Sequence, residues 1–134
     1  MATLESIEGI GKVYAQKLKA VGVTTVEELL KKGATPKGRS EVAENSGISE
    51  KLVLEWVNHA DLFRIKGVAE EYADLLEASG VDTVVELAQR KAENLYQKVV
   101  ATNAARKLVR KLPTQAQVAD WIEQAKELPR RISY

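Results

Sequence analysis

The stretch IEGIGKVYAQKLKAVGV, residues 7–23, decides the fold because it places Gly9 and Gly11 at the joint between two expected helices. Apolar residues that follow Gly11 recur mostly at three- and four-residue spacing, which is typical of one buried helix face. Gly22 ends that run and predicts a left-handed residue just beyond the helix. The glycines either hold the joint together or leave room for a phosphate group.

The chain contains this stretch twice. A shift of 58 residues brings Ile65 under Ile7, and the register then holds without a gap as far as Leu87 under Leu29. A later match, from VLEWV to VADWI, has a shift of 65, so the second copy carries about seven extra residues. The aligned identities include the pairs Gly9/Gly67, Tyr14/Tyr72, Ala15/Ala73, Leu18/Leu76 and Gly22/Gly80.

Composition and helix signals favour helices throughout. Aromatic residues are only 5% of the chain, while Ala, Leu, Glu and Lys are plentiful. In TTVEELLKKG we expect Thr24 to cap a helix, with Glu27 three residues later, and Gly33 to end it. Asp82 is expected to begin the equivalent helix of the second copy. Residues 113–114 open a last helix that runs to about residue 127.

Residues 7–23 resemble the helix-hairpin-helix motif, in which two glycines and a closing Gly-apolar pair stand at these spacings, and the copy at 65–81 makes the match more specific. The whole chain is also similar to an uncharacterised family, known only as a domain of unknown function, whose members carry two such motifs. The resemblance implies an all-α fold. Two pseudo-repeated helix-hairpin-helix units, residues 1–62 and 63–134, would pack into one compact helical domain.

The first hairpin is a candidate phosphate site. A glycine directly before a helix lets an external backbone approach the free N–H groups of the first turn, where the helix dipole favours an anion. In helix-hairpin-helix proteins these N–H groups hold a DNA phosphate. The resemblance therefore assigns that role to Gly9, Gly11 and Val13, with Lys12 as the adjacent cation. A purely structural hairpin is the alternative, because glycine is common in helix-joining turns.

The second hairpin departs from the motif where a phosphate would bind. Ala69 replaces the second glycine, and Glu70 and Glu71 follow it. Two carboxylates would repel a phosphate at this position. We therefore expect this hairpin to pack rather than to bind DNA.

A basic segment, VVATNAARKLVRKLPTQAQ at residues 99–117, contains no acidic residue. On a helix its cations would form one stripe, because they lie four residues apart in two pairs. Neutralisation of phosphates by Lys and Arg supplies most non-specific DNA affinity. The segment predicts DNA backbone contacts, and an ordinary solvated helix face is the alternative. Its candidate residues are Arg106, Lys107, Arg110 and Lys111.

Three other features favour structural roles. Trp56 and Trp121 occupy equivalent positions and are expected to seal the core. His59 is the only histidine, and the chain has no cysteine, so the sequence predicts no metal site, no cofactor and no enzyme. Residues 41–57 resemble a helix-turn-helix. The carboxylates on its second helix argue against recognition of bases in the DNA major groove.

Charge and composition leave two functional interpretations. The formal net charge is +1, from 20 basic and 19 acidic residues, so DNA binding must come from local patches. The first interpretation is a non-catalytic module that binds DNA non-specifically through the backbone. The second is a protein-interaction or scaffolding domain, with a protein partner or another copy. The first residues resemble neither a signal peptide nor a spanning helix, so we expect no membrane role and a cytoplasmic location.

Overall fold

The computed structural model describes residues 3–134, and the regular elements within that range are all helical. The predicted all-α class is therefore confirmed. None of the described helices is both long and apolar enough to cross a membrane. After a short 3-10 helix at Leu4–Ser6, the helices are α1 (Lys12–Ala20), α2 (Val26–Lys32), α3 (Pro36–Ser46), α4 (Glu50–Leu62), α5 (Glu70–Ala78), α6 (Val84–Ala88), α7 (Ala92–Arg106) and α8 (Gln115–Glu127).

The described chain divides into two compact units. Unit 1 contains the residues up to Asp61 together with the tail Arg130–Tyr134, and unit 2 is Leu62–Pro129. From the sequence the tail is expected with residues 63–134, whereas the structure groups it with the first unit. The reason is that Ser133 of the tail forms hydrogen bonds with Arg39 and Ala34.

In unit 1, local signals set the ends of α1 and α2. Gly22 lies just beyond α1 with a φ of +86°, as predicted, and Gly33 caps the end of α2. The expected N-cap of α2 at Thr24 is wrong by one residue. Thr25 has the extended backbone of a cap, and its hydroxyl accepts a hydrogen bond from the backbone N of Glu28 at 3.0 Å. The Thr24 hydroxyl instead donates to the Glu28 carboxylate.

The core of unit 1 forms where α1 and α2 both pack on α3, while α4 supplies a run of apolar side chains. Val53, Trp56 and Val57 on α4 are fully buried. The Tyr14 ring lies on Trp56, with 5.1 Å between the ring centroids. Burial of these large apolar surfaces is the main source of stability for a helical unit of this size.

The C-terminal tail is held to unit 1 by Arg39 of α3. The Arg39 guanidinium is buried, and it donates to the carbonyl oxygens of Gly33 and Ser133, each at 2.8 Å. The backbone N of Ser133 donates to the Ala34 carbonyl, also at 2.8 Å. Ile132 buries its side chain beside these bonds. The tail thus supplies one of the two acceptors of a buried charge.

Unit 2 is built around α8. Thr114 caps this helix in a capping box, because its hydroxyl accepts from Gln117 N and the Gln117 side chain accepts from Thr114 N. Helices α6 and α7 pack on α8, and α5 packs on α7. Trp121 of α8 is 2% exposed, and the Tyr72 ring lies 5.3 Å from it between centroids. The expected burial of both tryptophans is confirmed.

Candidate nucleic-acid interface

The first hairpin is a tight turn that ends directly at α1. The backbone N of Ile10 donates to the Ile7 carbonyl at 3.1 Å, and Gly9 between them has a φ of +93°. A side chain at Gly9 would be strained, because L-residues rarely adopt this conformation. Gly9 is therefore required by the turn.

Gly11 differs from Gly9 in its conformation and surroundings. It is the N-cap of α1, with extended backbone at φ −92° and ψ −170°, which any residue can adopt. A methyl group at Gly11 would meet nothing within 4 Å. Because glycine offers no capping side chain, the first N–H groups of α1 have no partner from their own helix. The hairpin thus presents open backbone donors.

Two exposed side chains flank these donors. Lys12 begins α1 and makes no hydrogen bond or ion pair with any described residue, so its ammonium is available to an anion. Val13 is 65% exposed. Glu8 is also exposed, and it lies within the turn directly before Gly9. Gly9, Gly11, Lys12 and Val13 thus follow one another through the turn and the start of α1, and their role in phosphate binding stays a prediction.

The second hairpin has the same backbone but a different charge. Gly67 has a φ of +94°, and Val68 N donates to the Ile65 carbonyl at 3.1 Å. Ala69 takes the N-cap position of α5, and its side chain forms no cap. The first turn of α5 then carries Glu70 and Glu71, both exposed. These carboxylates already complement the helix dipole, so an external phosphate would be repelled here.

The turn of the second hairpin is also clasped from α8. The side-chain oxygen of Gln124 accepts from Lys66 N at 2.8 Å, and its side-chain nitrogen donates to Lys66 O at 3.0 Å. The same nitrogen donates to Asp120 at 2.9 Å. Gln124 therefore ties this hairpin to α8, which is a structural role.

The predicted helical stripe of Arg106, Lys107, Arg110 and Lys111 is wrong. Helix α7 ends at Arg106, and Lys107 caps it in the left-handed conformation at φ +51° and ψ +49°. Residues 107–114 form an irregular connection to α8, which we call the basic loop. Its cations and Arg106 are exposed, and none of the four forms a hydrogen bond or ion pair with a described residue through its side chain. Three of the four cations thus lie on a loop, and Arg106 lies at the end of α7.

Two side chains outside this connection hold its backbone. The Asn103 side chain of α7 accepts from Val109 N at 2.9 Å and donates to Val109 O at 3.2 Å. The Tyr72 hydroxyl of α5 donates to Lys111 O at 3.0 Å. Val109 itself is buried. These contacts make the basic loop an ordered surface of unit 2.

A model of the protein family described as Domain of unknown function (DUF4332) matches residues 8–128. The chain belongs to this family. No curated protein and no solved structure matches the chain. The match to the DUF4332 family includes Gly9 and Gly11 of the first hairpin, the second hairpin and the whole basic loop. The family description assigns no activity, so a function has to be argued from the residues.

In this DUF4332 domain the two candidate surfaces belong to different units. The residues of the first hairpin lie in unit 1, and those of the basic loop lie in unit 2. Sequence reasoning missed Asn103 and the Tyr72 hydroxyl altogether. Nothing in the local pattern identifies them, because an asparagine in a helix and a tyrosine at core spacing are both ordinary. Among the described residues, no group of acidic and histidine side chains is arranged to hold a metal ion.

Proposed function

We propose that the chain is a non-catalytic module that binds DNA through its phosphate backbone, without sequence specificity. The observation that carries the proposal is the open N-terminus of α1, where Gly11 leaves the first N–H groups uncapped beside the free ammonium of Lys12. Backbone donors and a cation recognise a phosphate but carry no information on base identity. The proposed environment is the cytoplasm.

The proposal includes a duplication of a helix-hairpin-helix unit. Equivalent hydrogen bonds recur at the shift of 58 residues, which supports it. Lys32 donates to the Gly22 carbonyl at 3.1 Å, and Arg90 donates to the Gly80 carbonyl at 3.0 Å. The hydroxyls of Thr25 and Thr83 cap α2 and α6 in the same way. The two copies thus use the same local bonds, while their hairpins differ in charge.

The basic loop is a second proposed phosphate-binding surface, and it belongs to unit 2. Each phosphate neutralised by Lys or Arg releases condensed counterions, so affinity falls as salt rises. With about three to five phosphates neutralised on duplex DNA, the slope of log affinity against log salt should be about −3 to −4.5. A net charge of only +1 for the whole chain makes this local concentration of cations the natural source of such a slope.

The test is a fluorescence anisotropy titration of a short labelled duplex at several salt concentrations, with Gly11→Asp and Ala69→Asp as a matched pair. Both changes add one carboxylate at a helix N-cap, in the first and second copies respectively. Aspartate is a favourable N-cap, so both variants should remain folded, as circular dichroism can verify. We expect Gly11→Asp to lose most of the affinity and Ala69→Asp to bind nearly as wild type. Absence of wild-type binding at low salt, or equal effects of both variants, would overturn the proposal.

A protein-interaction domain is the second candidate function, and the exposure of Val13 favours it. An apolar side chain that is 65% exposed beside the hairpin is suited to contact with a protein surface. In that case the hairpins would be purely structural. Sedimentation of the chain over a range of concentrations, for wild type and Val13→Ser, tests self-association through this surface. A wild-type dimer that Val13→Ser dissociates would support the second function.

A further inference from the structure

The basic loop is held at two points by side chains that carry no charge themselves. We propose that Asn103 and Tyr72 are positioning residues that keep the basic loop in the conformation that meets DNA phosphates. This inference rests on the proposed function and deepens it, because it states which residues prepare the unit 2 surface for binding. Neither residue is expected to contact DNA.

Asn103 closes the start of the loop with three hydrogen bonds. Its carbonyl oxygen accepts from Lys107 N at 2.7 Å, and its side chain makes the two bonds with Val109. The side-chain amide therefore acts as donor and acceptor to the same residue, which a carboxylate cannot do. This pairing is consistent with Lys107 standing in the left-handed conformation, where the chain turns away from α7.

Tyr72 holds the other end of the loop, and its counterpart in the first copy provides a comparison. Tyr72 and Tyr14 both lie against a buried tryptophan, with ring centroids 5.3 and 5.1 Å apart respectively. Of these two tyrosines, only Tyr72 has a hydrogen-bond acceptor for its hydroxyl among the described residues, namely Lys111 O at 3.0 Å. The second copy is also the one with the insertion. The tyrosine hydroxyl thus forms a hydrogen bond in the copy that contains the inserted residues.

Holding the basic loop in one conformation affects DNA affinity because its cations repel one another. Arg106, Lys107, Arg110 and Lys111 lie within six consecutive positions, and no acidic residue occurs between Glu93 and Asp120. A free loop would spread these charges and lose conformational entropy when DNA orders it. A loop that is already ordered loses less entropy and binds more tightly. The two positioning residues therefore raise affinity without touching the ligand.

The matched pair for the test is Tyr72→Phe and Tyr14→Phe. Each removes one hydroxyl and retains the ring against its tryptophan. In the duplex titration we expect Tyr72→Phe to weaken binding by about 3- to 10-fold and to make the salt slope less steep by about 1, because fewer phosphates are contacted together. Tyr14→Phe should stay within about 2-fold of wild type with the same slope.

Asn103→Ala gives an independent variant with a structural readout. We expect a similar loss of affinity, together with faster hydrogen exchange at the Val109 amide, which donates to Asn103 in the folded chain. A merely structural role would lower the unfolding temperature of these variants but leave the salt slope of the folded protein unchanged. Thermal unfolding of each variant separates the two effects.

The outcomes separate this inference from the proposed function. If wild type binds the duplex but Tyr72→Phe and Asn103→Ala keep its affinity and salt slope, the positioning role is wrong and the proposed function stands. If wild type does not bind the duplex, both are overturned. Simultaneous replacement of the four cations by glutamine should abolish the contribution of the loop, and its failure to do so would also overturn the inference.

Discussion

Gly9 lies directly against Trp56, so that a methyl group at Gly9 would come within 3.3 Å of the indole Nε1. The second copy repeats this relationship between Gly67 and Trp121, at 3.1 Å. In both copies the glycine also has a positive φ, of +93° and +94°. Each hairpin turn is therefore restricted twice, by its own backbone and by the tryptophan of a later helix. Gly11 is subject to neither restriction.

Gly9→Ala and Gly67→Ala should each lower the free energy of unfolding by about 1–3 kcal/mol, because the methyl group is strained at positive φ and crowds the indole. Gly11→Ala should change it by less than about 0.5 kcal/mol, since its backbone is extended and its surroundings are open. Urea unfolding followed by tryptophan fluorescence measures all three. Wild-type stability in Gly9→Ala would show that the turn relaxes without cost.

Lys107→Gly is expected to change stability and affinity in opposite directions. The left-handed conformation at φ +51° is unfavourable for lysine but not for glycine. The free energy of unfolding should therefore rise by about 1 kcal/mol. DNA affinity should fall, and the salt slope should become less steep by about 0.9, because one cation is lost. Lys111→Gly removes a charge from the same loop at a residue without positive φ, and it should show the loss of affinity without the gain in stability.

Arg39→Ala should destabilise unit 1 by about 2–4 kcal/mol, because the buried carbonyl oxygen of Gly33 and the partly buried one of Ser133 lose charged donors at 2.8 Å. Arg39→Lys should recover only part of this loss, since an ammonium lacks the planar fork that reaches both acceptors. Arg131→Ala is the control, because Arg131 is exposed and makes no contact of this kind with the described residues. Chemical unfolding compares the three. Equal stability of Arg39→Ala and Arg131→Ala would contradict the proposed tail contact.

The carboxyl group of Glu28 should titrate at a lower pH than an ordinary glutamate. The hydrogen bond from the Thr24 side chain is the main cause of its lowered pKa, and the Thr25 hydroxyl and the charge of Lys32 act in the same direction. A lowered pKa means that the ionised carboxylate stabilises the folded state. This contribution is present above the ordinary pKa and is lost as the pH falls through the lowered one.

Thr24→Val should therefore raise the pKa of Glu28 and reduce stability near neutral pH, while the difference from wild type should shrink in acid. The N-cap of α2 is retained, because Thr25 supplies it. A carbon-13 NMR titration of the Glu28 carboxyl carbon measures the pKa. An unchanged value in Thr24→Val would rule out the threonine hydroxyl as the cause.

Local signals in the sequence were sufficient for much of the fold. The helix stop at Gly22, the start of α8 after residues 113–114 and the buried pair of tryptophans all lie where the pattern predicted them. The prediction at Thr24 failed by one residue, because two adjacent threonines offer the same hydroxyl and only the backbone angles distinguish cap from neighbour. Local hydrogen bonding over three or four residues can be read from a pattern, but the choice between equivalent neighbours cannot.

Less of the candidate interface could be predicted from the sequence. Gly11 and Lys12 could be found, because a glycine at the start of a helix has a local meaning. The basic residues could also be found, but their arrangement could not. The charges continue at helical spacing through Lys111, and no glycine or asparagine marks the end of α7 at Arg106. A lysine in the left-handed conformation gives no signal that a pattern would detect.

The helical class and the two glycine turns follow from neighbouring residues, because backbone conformation and capping are local properties. The end of α7, the docking of the tail and the separate uses of two equivalent tyrosines follow only from the folded chain. Their partners are distant in sequence or irregular in conformation: Tyr72 meets Lys111 across 39 residues, and Arg39 meets Ser133 across 94. Such contacts form only after packing brings the elements together, and no spacing along the chain encodes them.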